Sequence, residues 1–252
     1  MRVVVVGGTG LVGARLVALL GGRGHEAVAA SPRTGVDART GDGLAAVLTG
    51  ADVVVDVSGS PVFTEAGDFF RAVAENVARE AAAAGVRRSV LLSIVGVDRL
   101  PANPYFAAKL AQEQVATAGP VPVTVLRATQ FHEFADAVAA QLGAGGRVGV
   151  APVAVQPVAV DDVVGALADL VTGPYRERAE IAGPERMSAD VWVRRVLTAA
   201  GDAQQVETDP VGDPFGTGGA PGAVVPAEHP GAGVLRLAGG TALATWLAAR
   251  AG

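Results

Sequence analysis

The chain contains no cysteine, which removes disulfides, thiolate zinc sites and cysteine nucleophiles in one step. Histidine is almost as scarce: His25, His132 and His229 lie far apart, and no metal site is expected from them. No apolar run approaches the length of a bilayer span. The longest, VVVV at 3–6 and ADVVVDV at 51–57, are strand-sized. The first lies so close to the N-terminus that it leaves no room for a secretory signal, so a cytoplasmic protein without membrane contact is expected. Positive charge is also sparse and scattered. With a net charge of −5 and a pI near 5.2, the chain lacks the electrostatic footprint of a nucleic-acid binder. The expected partner is a small molecule, with the chain itself a monomer or homodimer.

What the chain has in quantity is apolar side chains. Hydrophobic residues make up 50% of it, ample for a sizeable core. Short β-branched runs alternate with longer Ala-rich segments of helical period, the sequence form of repeated βαβ units. RVVVVG, EAVAAS, ADVVVDVS, SVLLSIVGV and VPVTVLRAT read as strands. Their apolar character is continuous rather than alternating, which implies burial on both faces and hence a parallel sheet. The expected fold class is α/β, a Rossmann-type doubly wound parallel sheet over residues 1–135. A smaller substrate-binding portion, 136–252, follows. There the pattern weakens to short strands at RVGVAP, QPVAV and AEIAG, a helix DDVVGALADLVTG that an Asp could cap, the helix SADVWVRRVLTAAG, and a closing helix TALATWLAARA with Thr241 as its N-cap. Residues 207–235, rich in Gly and Pro, read as a lid or a connector, with Phe215, Val224, Val225 and Leu235 favouring an ordered, ligand-facing loop.

GGTGLVG, residues 7–13, stands directly between the first strand and the first helix. Gly7 allows the tight turn, Gly10 lets the backbone approach a pyrophosphate, and Gly13 lets the helix pack closely. With Thr9, and with Leu11 and Val12 opening the helix, they form the expected dinucleotide loop, whose free N–H groups face phosphate. The second strand ends in AASPRTG, where an NAD site would carry a carboxylate for the ribose 2′-hydroxyl. Ser31 and Arg33 stand there instead, which favours a 2′-phosphate and therefore NADP(H) over NAD(H). Asp37 falls either near the adenine edge or in a turn.

Ser93 lies near the carboxyl end of its strand, and NPYFAAK then places Tyr105 and Lys109 one helical turn apart on a shared face. The set suits hydride transfer at a carbonyl or alcohol carbon. Tyr105 would move the proton, Lys109 would hold the nicotinamide ribose and lower the tyrosine pKa, and Ser93 would orient the substrate oxygen. His132 could serve as an alternative acid or base, and Phe63, Phe131, Phe134 and Phe215 could build an apolar pocket. Asn76, mid-helix, could contact the site, a solvated position being the plainer reading.

The same residues resemble the short-chain dehydrogenase/reductase superfamily, and more narrowly its atypical NmrA-like NAD(P)-binding branch. The resemblance runs through GGTGLVG, DVSGSP, SVLLSIVGVD, NPYFAAKLAQEQV, LRATQFHEF, QPVAVDDVVGAL and AGPE to TALATWLAA, nearly the whole chain. It implies a catalytic Ser93, Tyr105 and Lys109 and a cofactor loop of Gly7, Thr9, Gly10 and Gly13. It places Ser58, Gly59, Thr129 and Gln130 on the nicotinamide side. The branch also includes members that bind dinucleotide without turnover. The chain lacks the longer nucleotide-sugar domain of the extended epimerases, so sugar epimerisation is not expected.

Overall fold

In a computed structural model, residues 1–60, 62–220, 222–229, 231 and 233–251 of the protein are described. The first half alternates as read: β1 (Arg2–Val6), α1 (Leu11–Gly22), β2 (Glu26–Ala30), α2 (Leu44–Leu48), β3 (Val53–Asp56), α3 (Ala66–Ala83), β4 (Arg88–Ile94), α4 (Pro104–Ala118) and β5 (Val123–Ala128). The second half holds α5 (Ala135–Leu142), β6 (Gly143–Ala144), β7 (Arg147–Val150), β8 (Ala154–Val155), α6 (Val160–Thr172), β9 (Arg178–Ala182), β10 (Met187–Ser188), α7 (Ala189–Ala199), β11 (Gln205–Thr208), β12 (Val234–Ala238) and α8 (Leu243–Ala251).

Seven strands form one sheet in the order β12-β9-β5-β4-β3-β1-β2, with every neighbouring pair parallel. The second half thus returns β9 and β12 to the main sheet. Its remaining strands pair in small ribbons, β8 with β10 and β6-β7-β11. Both sheet faces are covered. Val3, Val5, Val53, Val55 and Leu126 pack against α1 and α6, while Val4, Val6 and Val54 pack against α2 and α3. Each such side chain, fully withdrawn from water, contributes about 1.5–3 kcal/mol. A further core around Trp192, Phe106 and Val148 joins the β4–α4 region to the second half. No described helix is long and apolar enough to cross a membrane.

Strand order reverses beside β1: the chain leaves for β2, then returns to β3 on the other side. In open α/β sheets that reversal opens a crevice at the carboxyl ends, where ligands bind.

Several local expectations give way to longer-range contacts. α6 begins at Val160 after Ala159, with no side-chain cap. The Glu133 carboxylate accepts the Val160 N–H instead. Asp162 accepts from the Thr241 N–H and hydroxyl at 2.9 and 3.1 Å, so Thr241 is tied to α6 rather than capping α8. The α8 N-terminus is met by Glu185, which accepts the Leu243 N–H at 2.7 Å. QPVAV is not a strand; only Val158 bridges to Phe131. Conversely VLRLA, placed in and beside the irregular segment, is β12, because β9 offers it an unpaired edge.

Candidate active site

Gly7 has φ +79, a conformation that L side chains rarely adopt, and a Cβ there would come within 2.9 Å of the Ser58 backbone. Gly13 is still tighter, since its Cβ would lie 2.2 Å from the Gly7 carbonyl oxygen. The turn after β1 is therefore pressed against both the loop after β3 and the first turn of α1. Gly10 caps α1 without a side-chain bond, which leaves the first-turn N–H groups of Leu11, Val12 and Gly13 to a ligand or solvent. A dinucleotide pyrophosphate fits this cradle, which any larger residue would fill.

Beside this turn, at the end of β2, three predicted residues meet. Thr9 Oγ1 donates to Ser31 Oγ at 2.9 Å, and Arg33 donates to the Thr9 carbonyl. Asp37 is a turn former: its carboxylate accepts the Arg39 N–H at 2.8 Å. Asn76 is half-buried on α3. Its amide donates to the carbonyls of Ala38 and Arg39 at 3.0 and 2.9 Å, bracing the loop after β2.

The α4 N-terminus is built by Asn103 and Pro104. Asn103 Oδ1 accepts from the N–H groups of Tyr105 and Phe106 at 2.9 and 3.3 Å, and Pro104 occupies the first helical turn, where its missing N–H costs nothing. Lys109 is only 4% exposed. Its Nζ donates to the Leu92 carbonyl at 2.9 Å and to Gln112 Oε1, and lies 4.5 Å from the centre of the Phe70 ring. Burial pulls its pKa down to about 8, against the opposing pull of Asp56 and Glu113. Leu92 is the residue before Ser93, whose hydroxyl is buried and has no hydrogen-bond partner among the described residues.

Tyr105 lies in an aromatic cluster, parallel to Phe63 at 5.4 Å and edge-on to Phe70 at 5.5 Å. Its pKa is raised by burial, with no opposing contribution from Lys109. The expected depression of the tyrosine pKa is therefore absent, and the hydrogen bonds of Lys109 go to Leu92 and Gln112. Phe63, 60% exposed, covers the tyrosine ring from the loop after β3.

After β5, Thr129 Oγ1 donates to the Gln156 carbonyl at 2.6 Å, and Gln130 Nε2 donates to the Val224 carbonyl at 3.0 Å. Phe131 is part of the core under α6, and Phe134 packs against it with ring centres 5.0 Å apart. His132 is 1% exposed, 5.3 Å from the Trp246 ring of α8. Burial lowers its pKa, outweighing the Thr241 backbone and the Glu185 and Asp162 carboxylates. The Thr241 backbone is close, yet neither ring nitrogen meets hydrogen-bond geometry. Described residues of the segment after β11 are tied to the loop after β4. Asn103 and Arg99 hold the carbonyls of Phe215, Gly222 and Val225, and a Cβ on Gly96 would collide with the Ala223 carbonyl. Pro221, Pro230 and Ala232 of this segment lie outside the described residues.

A polar cluster escaped sequence reasoning. Arg127 on β5 donates to both oxygens of Glu113 at 2.9 and 2.7 Å and to Asp98 at 2.9 Å, and Gln112 donates to Asp56 at 2.8 Å. An arginine inside the buried run VTVLRA was the available signal, since a buried charge needs a buried partner. Two open grooves of about 410 and 400 Å³ flank β12. Neither is lined by Ser93, Tyr105 or Lys109.

The chain shares the fold of dTDP-4-dehydrorhamnose reductase. The Bacillus anthracis reductase in complex with NADP is 16% identical with a TM-score of 0.70, over 83% of this chain and 85% of that one. MoeE5 in complex with UDP-glucose and NAD is 22% identical with a TM-score of 0.68, covering 84% and 87%. The Bordetella bronchiseptica enzyme WbmH in complex with NAD+ is 16% identical with a TM-score of 0.66, covering 82% and 84%. No protein-family model and no curated protein matches the sequence. The likeness is one of fold.

Proposed function

We propose that the protein is an NADP(H)-dependent oxidoreductase of the short-chain dehydrogenase/reductase type. It moves hydride to or from a carbonyl, quinone or activated double bond of a small, mostly apolar molecule. One observation carries the reading: a buried, unbonded Ser93 hydroxyl stands next to the Leu92 carbonyl that receives Lys109, at the sheet edge that also bears the glycine turn.

In this reading the first turn of α1 binds the pyrophosphate, Ser31 and Arg33 bind the 2′-phosphate, and Ser58, Gly59 and Thr129 line the nicotinamide side. The bound cofactor supplies or accepts the hydride. Ser93 orients the substrate oxygen, and Tyr105 moves the proton. Burial raises the phenol's pKa further above its ordinary value, so Tyr105 carries the proton that donation to a carbonyl oxygen requires. The parts of residues 136–252 outside the main sheet and α6 serve as the substrate portion, and the NmrA-like kinship rests on the motifs quoted above. Among the described residues, Leu11, Val62, Phe63 and Phe134 are large, apolar and exposed, and they stand at α1, after β3 and after β5, in keeping with an apolar substrate. The chain covers 85% of a dehydrorhamnose reductase, so length alone does not set nucleotide sugars aside, and a dTDP-linked ketosugar belongs in the substrate panel.

The second reading, a non-catalytic NADP(H) sensor, is favoured by the stacking of Phe63 on Tyr105 and the inward turn of Lys109. Following NADPH and NADH oxidation across carbonyl, quinone and ketosugar substrates separates the two. The enzyme reading expects turnover that Tyr105→Phe and Lys109→Ala each reduce by about 10²-fold or more. Tight NADPH binding with no turnover on any substrate would establish the sensor. Arg33→Ala should weaken NADPH about tenfold and leave NADH unchanged; equal losses would remove the 2′-phosphate argument.

A further inference from the structure

Gln112 is 0% exposed and has no part in the chemistry described so far. It lies one turn beyond Lys109 on α4, and its amide spans two charged groups. Its Oε1 accepts from Lys109 Nζ, and its Nε2 donates to Asp56 Oδ2 at 2.8 Å. Asp56 closes β3, and its other oxygen accepts the Ser58 N–H at 2.9 Å. Ser58 is the residue against which Gly7 is pressed. An unbroken chain of hydrogen bonds therefore joins the Lys109 ammonium to the loop lining the crevice. A neutral amide satisfies both ends, offering an acceptor to the ammonium and a donor to the carboxylate. A carboxylate here would face Asp56 with like charge, and an apolar side chain would leave two buried charges short of a partner.

We propose that Gln112 is a positioning residue that fixes the Lys109 ammonium and the Ser58 loop relative to each other at the nicotinamide end of the crevice. The proposal rests on the dinucleotide reading above. The groups around the ammonium are Asp56 from β3, the Leu92 carbonyl from β4, the Phe70 ring from α3, and Glu113 from α4 itself with Arg127 of β5 behind it. Tyr105, one turn earlier on α4, completes the titratable set.

NADPH binding to the full chain, followed by nicotinamide fluorescence from about pH 6.5 to 9.5, tests this. In the wild type, affinity declines above about pH 8 as Lys109 loses its proton. Gln112→Leu should bind NADPH about tenfold more weakly at neutral pH, and its decline should begin at lower pH, because the ammonium has lost an acceptor. Gln112→Glu should move the decline to higher pH, because a neighbouring carboxylate favours the ammonium. A merely structural residue would lower the melting temperature without moving the titration in opposite directions. Folded variants that bind NADPH with the wild-type pH profile would overturn the proposal. If Gln112→Leu does not fold, the direction of the Gln112→Glu shift decides alone. A wild type that binds no NADPH at any pH overturns the dinucleotide reading itself, and the proposal with it.

Discussion

Behind the carboxyl ends of β3 and β5, every buried charge is bonded: Asp56 to Gln112 and Ser58, Lys109 to Leu92 and Gln112, and Arg127 to Glu113 and Asp98. The loops and strand ends beside them hold most of the unbonded groups. Of eight buried side-chain polar atoms without a partner among the described residues, five are Ser58 Oγ, Ser93 Oγ, Gln130 Oε1 and the two ring nitrogens of His132. Each such atom costs about 1–3 kcal/mol when water is excluded, and native structures keep few of them. The two regions share one sheet edge and one set of flanking helices, so packing alone does not explain the difference. The bonded network ties β3, β4, β5 and α4 together, and in the function proposed above the unbonded atoms are where a ligand's own donors and acceptors would complete the set.

The contrast can be broken from either side. Removing a member of the bonded set should cost most. Glu113→Leu strands Arg127, 4% exposed, with only Asp98, and should cost about 3–5 kcal/mol, as breaking a buried ion pair does. Urea unfolding measures it, and a loss below about 1 kcal/mol would place the pair with weak surface bridges. Ser93→Ala is the complementary test. Because its hydroxyl bonds nothing in the protein, stability should hold within about 0.5 kcal/mol or rise, while kcat/KM falls about 10²-fold. A stability loss without a kinetic one would make Ser93 a core residue only.

The bonded network also marks where sequence reading stops. β1 to β5 were legible because buried parallel strands are uninterrupted apolar runs. Asn103 was not read as a cap, although NP before an Ala-rich helix carries that signal. The glycine turn was legible because each glycine has a separate local reason. The inward turn of Lys109 was not, since it depends on Leu92, Gln112 and Asp56, and the last two are 56 positions apart. Asp162 and Thr241 invited local capping roles because each stands near a helix start, yet 79 positions apart they bond each other. β12 carried an apolar alternation in VLRLA, but five residues after a Gly- and Pro-rich stretch say nothing of the β9 edge that makes them a strand.

The smallest expected effect concerns His132 and sharpens the unbonded side of the contrast. Burial lowers its pKa below the ordinary 6.5 in the folded protein. Between the folded value and 6.5 the unfolded chain therefore binds more protons, and stability rises with pH across that window. The stabilisation is complete above 6.5 and is lost as pH falls toward the lowered value. Facing the ring are Trp246 of α8, the Thr241 backbone, Asp162 of α6, Glu185 and Arg195, so protonation places a cation against the packing that docks α8. His132→Phe keeps the aromatic contact and removes the titration. Its unfolding free energy, measured by urea titration at half-unit steps from pH 7 down to 5, should decline less than that of the wild type. Parallel declines would show that His132 keeps an ordinary pKa in the folded protein, which would take it out of the contrast and leave Ser58, Ser93 and Gln130 as the unbonded groups that the proposed ligand completes.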